Sequence, residues 1–281
     1  MKKRGMVIKG TVFGMGKDFA ELRNSEEYLP APLISLFLSL IEEDIIDKNS
    51  RKGGRINSRI NGITNDLHNL SVIIKMMKET LEEREDNGTK FLYFSVLFES
   101  YITTIRSLLD LLVPLIKYIV TEKQRGQLPE KESINKLINW LDNPNNRGKI
   151  NQKLEKTILK YEEDIKNIKN IRDYIIHKGG EPSIFKHEGS YKFSVQKGKG
   201  PRACNLAENL LEIEGEQYPV FPYLRYITIT ILNLRQELMG VLVELLGEKR
   251  NEKIKIKIHA LTGICMPVFK NFLLENGDFF R

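Results

Sequence analysis

One short stretch, "NIRDYIIHKGG" (170–180), brings Arg172, Asp173 and His177 within six residues of one another just before a double glycine, residue types that could hold an anion and move a proton. Arg172 offers a planar fork of N–H donors suited to an anionic partner. His177 titrates near neutral pH and is suited to take or give a proton. Asp173, four residues before His177, sits on the same helical face and is placed to accept from an imidazole N–H. That contact and a helix C-terminus both raise a histidine pKa, and the double glycine 179–180 lets the last turn open. A helix-ending His beside an i,i+4 Asp is also an ordinary surface arrangement. The unusual residue is Arg172. Ile158, Tyr161, Ile165, Ile168 and Ile175 define an apolar stripe over 157–177, and Arg172 falls in its middle. A guanidinium there stays charged and needs an anionic partner or a wet crevice. Arg172 and His177 are about 140° apart on an ideal helix, so they converge only if the arginine reaches around or the turn unwinds.

Long helices must position this stretch. "INGITNDLHNLSVIIKMMKETLEERE" (60–85) repeats Ile63, Leu67, Leu70, Ile74, Met77 and Leu81 at helical spacing. "DNG" (86–88) predicts a turn, with Thr89 as N-cap of a largely apolar helix over 90–120 that Pro114 kinks or interrupts. A short helix near 132–142, a third long helix over 150–178 and a fourth over 222–247 follow. "APLISLFLSLIEEDII" (31–46) reads as a further helix, and "DKNSRKGGRINS" (47–58) as a polar linker. "GMVIKGTVF" (5–13), "SYKFSV" (190–195) and the Lys/Ile alternation near 253–259 read as strands, the second in a hairpin or loop. The expected fold is mainly α: an up-and-down helical bundle with small β additions. The expected organisation is an N-terminal extension (1–57), the bundle (58–247) and a strand-like tail (248–281).

Composition narrows the setting. The 281 residues carry 44 Lys+Arg against 37 Asp+Glu, with a pI near 9.1, a balance that favours polyanionic partners. Cys204 and Cys265 are isolated, which suits a reducing cytoplasm and offers neither a disulfide framework nor a zinc motif. No apolar run has the length of a membrane span, and none follows the basic start as in a secretion signal. "GTVFGMGKD" fails as a phosphate-binding loop, because Asp18 follows Lys17 where Ser or Thr is needed. His68, His187 and His259 lack ligand-spaced partners, so neither metal nor cofactor is expected.

With these residues placed, "RDYIIH" resembles the R-x4-6-H signature of HEPN-domain proteins, helical bundles that carry the motif near the end of a late helix. The resemblance covers roughly 58–247. It implies metal-independent RNA cleavage by a homodimer with two motifs facing one cleft, Arg172 and His177 matching the catalytic pair and Asp173 the variable polar position. A toxin or phage-defence role with a cognate antitoxin or inhibitor belongs to the same implication. The family also contains inactive members that bind nucleotides or partners. The alternatives are therefore a non-catalytic RNA-, nucleotide- or partner-binding module and a helical antitoxin or scaffold.

Two further sets join the site. Ser95, Glu99, Thr103, Arg106 and Asp110 recur every three or four residues as one polar stripe on the 90–120 helix. The stripe is either the solvated side of a bundle helix or the wall opposite Arg172, with Glu99 or Asp110 neutralising the guanidinium when RNA is absent. Lys178, Lys186, Lys192, Lys197, Lys199 and Arg202 interleave with Phe185, Tyr191 and Phe193 around and after the motif. Such a mixture suits phosphate contact and base stacking, or a solvated loop.

Overall fold

The computed structural model describes residues 29–42, 46–47, 49–83, 88–178, 182–195, 217–250, 260–261 and 265–275. Strand β1 (Leu29–Pro30) leads into α1 (Pro32–Glu42). The longest helix, α2 (Arg51–Glu83), is followed by α3 (Gly88–Asp110) and, after a break at Leu111, by α4 (Leu112–Ile119). Short α5 (Glu122–Gln127) and α6 (Ile134–Asp142), a tight turn at Pro144–Asn146 and α7 (Gln152–Leu159) lead to α8 (Glu162–Lys178). A hairpin of β2 (Pro182–His187) and β3 (Ser190–Val195) precedes β4 (Gln217–Pro219), which runs directly into α9 (Val220–Arg250). Strand β5 (Ala260–Leu261), paired with β1, and α10 (Met266–Leu274) complete the described chain. The molecule is mainly helical with small antiparallel β additions, as its periodicity predicts.

The α2 stripe is buried as expected: Ile63, Leu67, Leu70, Ile74 and Met77 face α3, while Leu81 is only partly covered. Helix α3 contributes Phe94, Phe98, Tyr101, Ile105 and Leu108 to the core, and α9 packs across it against α1, α4 and α7. Between α3 and α9 the hydroxyls of Tyr101 and Thr228 lie 2.6 Å apart, a polar pair that satisfies itself inside the core. Helix α10 is clamped to α9 by Arg225, whose Nε donates to the Phe272 carbonyl at 2.6 Å and whose guanidinium lies 5.3 Å from the Phe272 ring centroid.

Several boundaries differ from the sequence reading. The segment 47–58 is not a linker throughout, since α2 begins at Arg51 and runs through Gly53 and Gly54. Packing overrides two glycines that cost about 1 kcal/mol each in a helix, and Gly53 is buried. Gly88 already belongs to α3, so Thr89 lies in the first turn rather than capping it. The 90–120 helix breaks at Leu111 because Pro114 lacks the N–H that would bond the Asp110 carbonyl. The 150–178 helix is two helices, with Lys160 and Tyr161 at the junction both tied to Glu237 of α9, at 2.5 and 2.8 Å. The polar stretch before α6 contains α5, which Thr121 and Gln124 start with a capping box.

The domain boundaries at 57/58 and 247/248 fall inside α2 and α9. A single core takes in Phe37 and Leu40 of α1 as well as Phe269 and Phe272 of α10, so the described residues of both ends pack with the bundle. The tail 248–281 contains α10, which was not expected. The strands expected at 5–13 and 253–259 lie outside the described residues, as do the glycines at 179–180.

The hairpin closes through Glu188 and Gly189, both at positive φ (49° and 74°), as a two-residue turn matching strand twist requires. It rests on α3, where the Phe98 and Phe193 ring centroids are 4.6 Å apart and Ser95 Oγ donates to the Pro182 carbonyl at 2.8 Å. No described helix is long and apolar enough to cross a membrane.

Candidate functional site

Four elements meet at a cleft of about 330 Å³: α2 through Arg59, α3 through Thr103, Arg106, Ser107 and Asp110, the stretch before α6 through Glu132, and α8 through Arg172. Leu111 and Pro114 complete the lining at the helix break. Gly62 of α2 permits this closeness, because a Cβ there would stand 3.2 Å from Leu111 Cδ1.

Arg106 is the most enclosed cation of the cleft, with 8% of its surface exposed. Its Nη2 donates to Ser133 Oγ at 3.2 Å and lies 3.1 Å from Asp110 Oδ1, while its Nη1 is buried without a hydrogen-bond partner among the described residues. Burial pulls its pKa below the usual arginine range; Asp110 and Asp173 oppose that shift, and Arg172 adds to it as a neighbouring like charge. The same Asp110 Oδ1 accepts the Ile134 N–H at 2.9 Å. It thereby caps α6 in place of Ser133, which makes no cap bond of its own. One carboxylate thus holds the Arg106 fork and seats the next helix.

Arg172 reaches the cleft from the flank of α8. The buried line of that helix is Ile165, Ile168, Ile171 and Ile175, so Arg172 borders the apolar stripe rather than occupying its centre, with 30% of its side chain exposed. Its Nη1 pairs with Asp173 Oδ1 at 3.0 Å. His177 lies in the last turn of α8, but its side chain, like that of Lys178, is outside the described residues, and so is the expected Asp173–His177 contact. Behind the lining, Ser107 hydrogen-bonds Asp66 of α2, whose carboxyl is pushed above the usual range by burial.

No family model, curated protein or solved structure matches the chain. The site therefore stands on its own geometry.

Of the α3 polar stripe, Thr103, Arg106 and Asp110 line the cleft with Arg172, whereas Ser95 holds β2 and the half-buried Glu99 lies outside the lining. Arg59 and Glu132, paired at 2.8 Å, and Ser133 went unnoticed in the sequence. The available signal was the arginine repeat 51, 55, 59 at helical spacing, hidden by reading that stretch as a linker.

The hairpin cations are a different matter. Lys192 is 1% exposed, with its Nζ donating to His187 Nδ1 at 2.9 Å, so it is not a surface phosphate contact. Its neighbour Phe193 is a core residue between Phe98, Tyr218 and Tyr223 rather than a stacking platform. Lys186 is exposed, its Nζ 5.8 Å from the Tyr191 ring centroid. Lys197, Lys199 and Arg202 lie outside the described residues. Among the described residues no group of three or more His, Cys, Asp or Glu side chains is placed to hold a metal ion.

Proposed function

We propose that this chain is a HEPN-like endoribonuclease acting in the cytoplasm by 2′-hydroxyl attack, with Arg172 holding the reacting phosphate and His177 moving the proton. The observation that supports the reading is the convergence of Arg172 with Thr103, Arg106 and Asp110 in one cleft. In the reaction the 2′-oxygen attacks phosphorus and loses its proton to a base, the bond from phosphorus to the 5′-oxygen breaks, and that oxygen takes a proton from an acid. The products are a 2′,3′-cyclic phosphate and a 5′-hydroxyl. Arg106 and Arg172 bear on the negative charge that peaks between these steps, and Asp110 keeps Arg106 aimed. A toxin or phage-defence role with a cognate inhibitor rests on the family resemblance alone.

RNA incubated with the protein in excess EDTA is expected to yield cyclic-phosphate ends, and His177→Ala is expected to abolish them. Cleavage that persists unchanged in that variant would remove the histidine from the scheme. A second reading, a phosphate-binding module without turnover, is favoured by the ion pairing of the cleft arginines with Asp110, Glu132 and Asp173. Binding of RNA without any cleavage selects it.

Two protons in flight call for two imidazoles, and a second copy of the chain supplies the other. Val72 and Met76 of α2 with Leu92, Tyr93 and Val96 of α3 make up five of the six most exposed large apolar side chains among the described residues. This helix pair is the surface proposed to bury itself in a homodimer. Val96→Asp is expected to halve the mass measured by light scattering and to remove cleavage with it. A wild-type protein that is monomeric at working concentration and still cleaves would overturn the dimer.

A further inference from the structure

The cleft does not end at Arg59. A second cavity of about 320 Å³, lined by Arg55, Ile56, Arg59, Pro114 and Glu132, shares Arg59, Pro114 and Glu132 with the first. The two adjoin along these shared residues as one groove, with Pro114 lining both parts. Along it stand Arg55, Arg59, Arg106 and Arg172, drawn from three helices. Arg55 and Arg59 are one helical turn apart on α2, about 6 Å along the axis, comparable with the separation of neighbouring phosphates in a stretched single strand. At the inner end the buried Nη1 of Arg106 has no hydrogen-bond partner among the described residues, a donor that an incoming anionic oxygen would satisfy. Leu111 and Pro114 add apolar surface to the same groove.

We propose that Arg55 and Arg59 form a phosphate-tracking ladder that leads a single strand of RNA across Pro114 to Arg106 and Arg172. The proposal rests on reading the cleft as an RNA site and adds the direction from which the strand arrives. A single strand is specified because cavities of this size admit one backbone, not two. Glu132 regulates entry: paired with Arg59, it competes with phosphate for the guanidinium and must be displaced before the ladder is filled.

The test uses the full chain and a fluorescein-labelled 2′-O-methyl oligouridylate, which presents the backbone but cannot be cleaved by 2′-oxygen attack. Affinity is measured by anisotropy over a KCl series. Each phosphate contact on a single strand contributes about 0.7 to the slope of log affinity against log salt. Arg55→Gln/Arg59→Gln is therefore expected to flatten that slope by about 1.4, and an unchanged slope would overturn the ladder. Glu132→Gln is expected to tighten binding by up to about fivefold, the range of an exposed ion pair, a gain that misfolding does not produce. Weaker binding by that variant counts against the proposal, as does equal binding of duplex RNA or polyglutamate.

The ladder and the nuclease reading fail separately. If the wild type binds with the expected slope change but leaves natural RNA intact, the ladder stands without the chemistry. If natural RNA is cut and the double variant keeps the full slope, the chemistry stands without the ladder.

Discussion

Arg172→Ala is expected to slow RNA cleavage by about 10²–10³-fold, the usual cost of deleting one preorganised donor to a developing oxyanion. Its melting temperature should stay within about 2 °C of the wild type, because the residue contributes little to folding. Arg172 is partly exposed and its described ion pair is with the adjacent Asp173, an arrangement worth well under about 1 kcal/mol. Removing it also relieves the like-charge pressure on Arg106. Arg172→Lys keeps the charge but loses the fork, so it should recover only part of the rate. Arg106 is a poorer first target, since its loss strands Asp110 at the head of α6 and mixes a folding defect into the kinetics. Cleavage by Arg172→Ala at the wild-type rate would remove the arginine from the chemistry.

The second large effect concerns stability. Arg235→Met should raise the unfolding free energy by about 1–4 kcal/mol, the gain seen when buried charge gives way to apolar volume. Arg235 is 3% exposed on the face of α9 that also presents the buried Ile231, Leu238, Met239 and Leu242. Its Nε has no hydrogen-bond partner among the described residues, and burial pushes its pKa well below the unfolded value, down to about 10. The sign follows from linkage. A base whose folded pKa is depressed binds fewer protons folded than unfolded between those two values, so wild-type stability rises with pH across that window. Below it both states are charged and the full penalty is present, roughly 3 kcal/mol for a shift of this size. The gap between variant and wild type should therefore be flat from about pH 6 to pH 9 and narrow above about pH 10. Methionine fits because it is unbranched and adapts to an irregular hole. Thermal and denaturant melts decide the matter, and a variant less stable than wild type sinks the argument.

Helices were legible wherever apolar residues kept one period over several turns. Ile63 to Met77 marked α2, and Pro114 foretold where the next helix would stop, because a missing N–H is a local fact. The first two turns of α2 were not legible, since two glycines speak for a loop unless the partner surface that buries Gly53 is known. At the site, Arg172 and the stripe Thr103–Arg106–Asp110 stood out as polar groups at helical spacing on apolar helices. Arg59, Glu132 and Ser133 did not, because their roles depend on neighbours dozens of residues away. Asp110 capping α6 is the clearest case: Ser133 precedes the helix and looks like its cap, yet it serves Arg106 instead. Lys192 differs from its sequence expectation because a lysine beside aromatics suggests a surface, whereas the middle strand of this sheet buries it.

The double duty of Asp110 also bears on the order in which the molecule becomes competent during synthesis. Arg59, Arg106, Glu132 and Arg172 are spread across more than a hundred residues, and Asp110 completes its double duty once the Ile134 N–H has docked on it. A nascent chain that has exposed α2 and α3 to solvent carries part of the cleft lining but neither Glu132 nor Arg172. The cleft closes only after α6 and α8 have emerged and packed, so its lining is complete only once synthesis has passed Arg172.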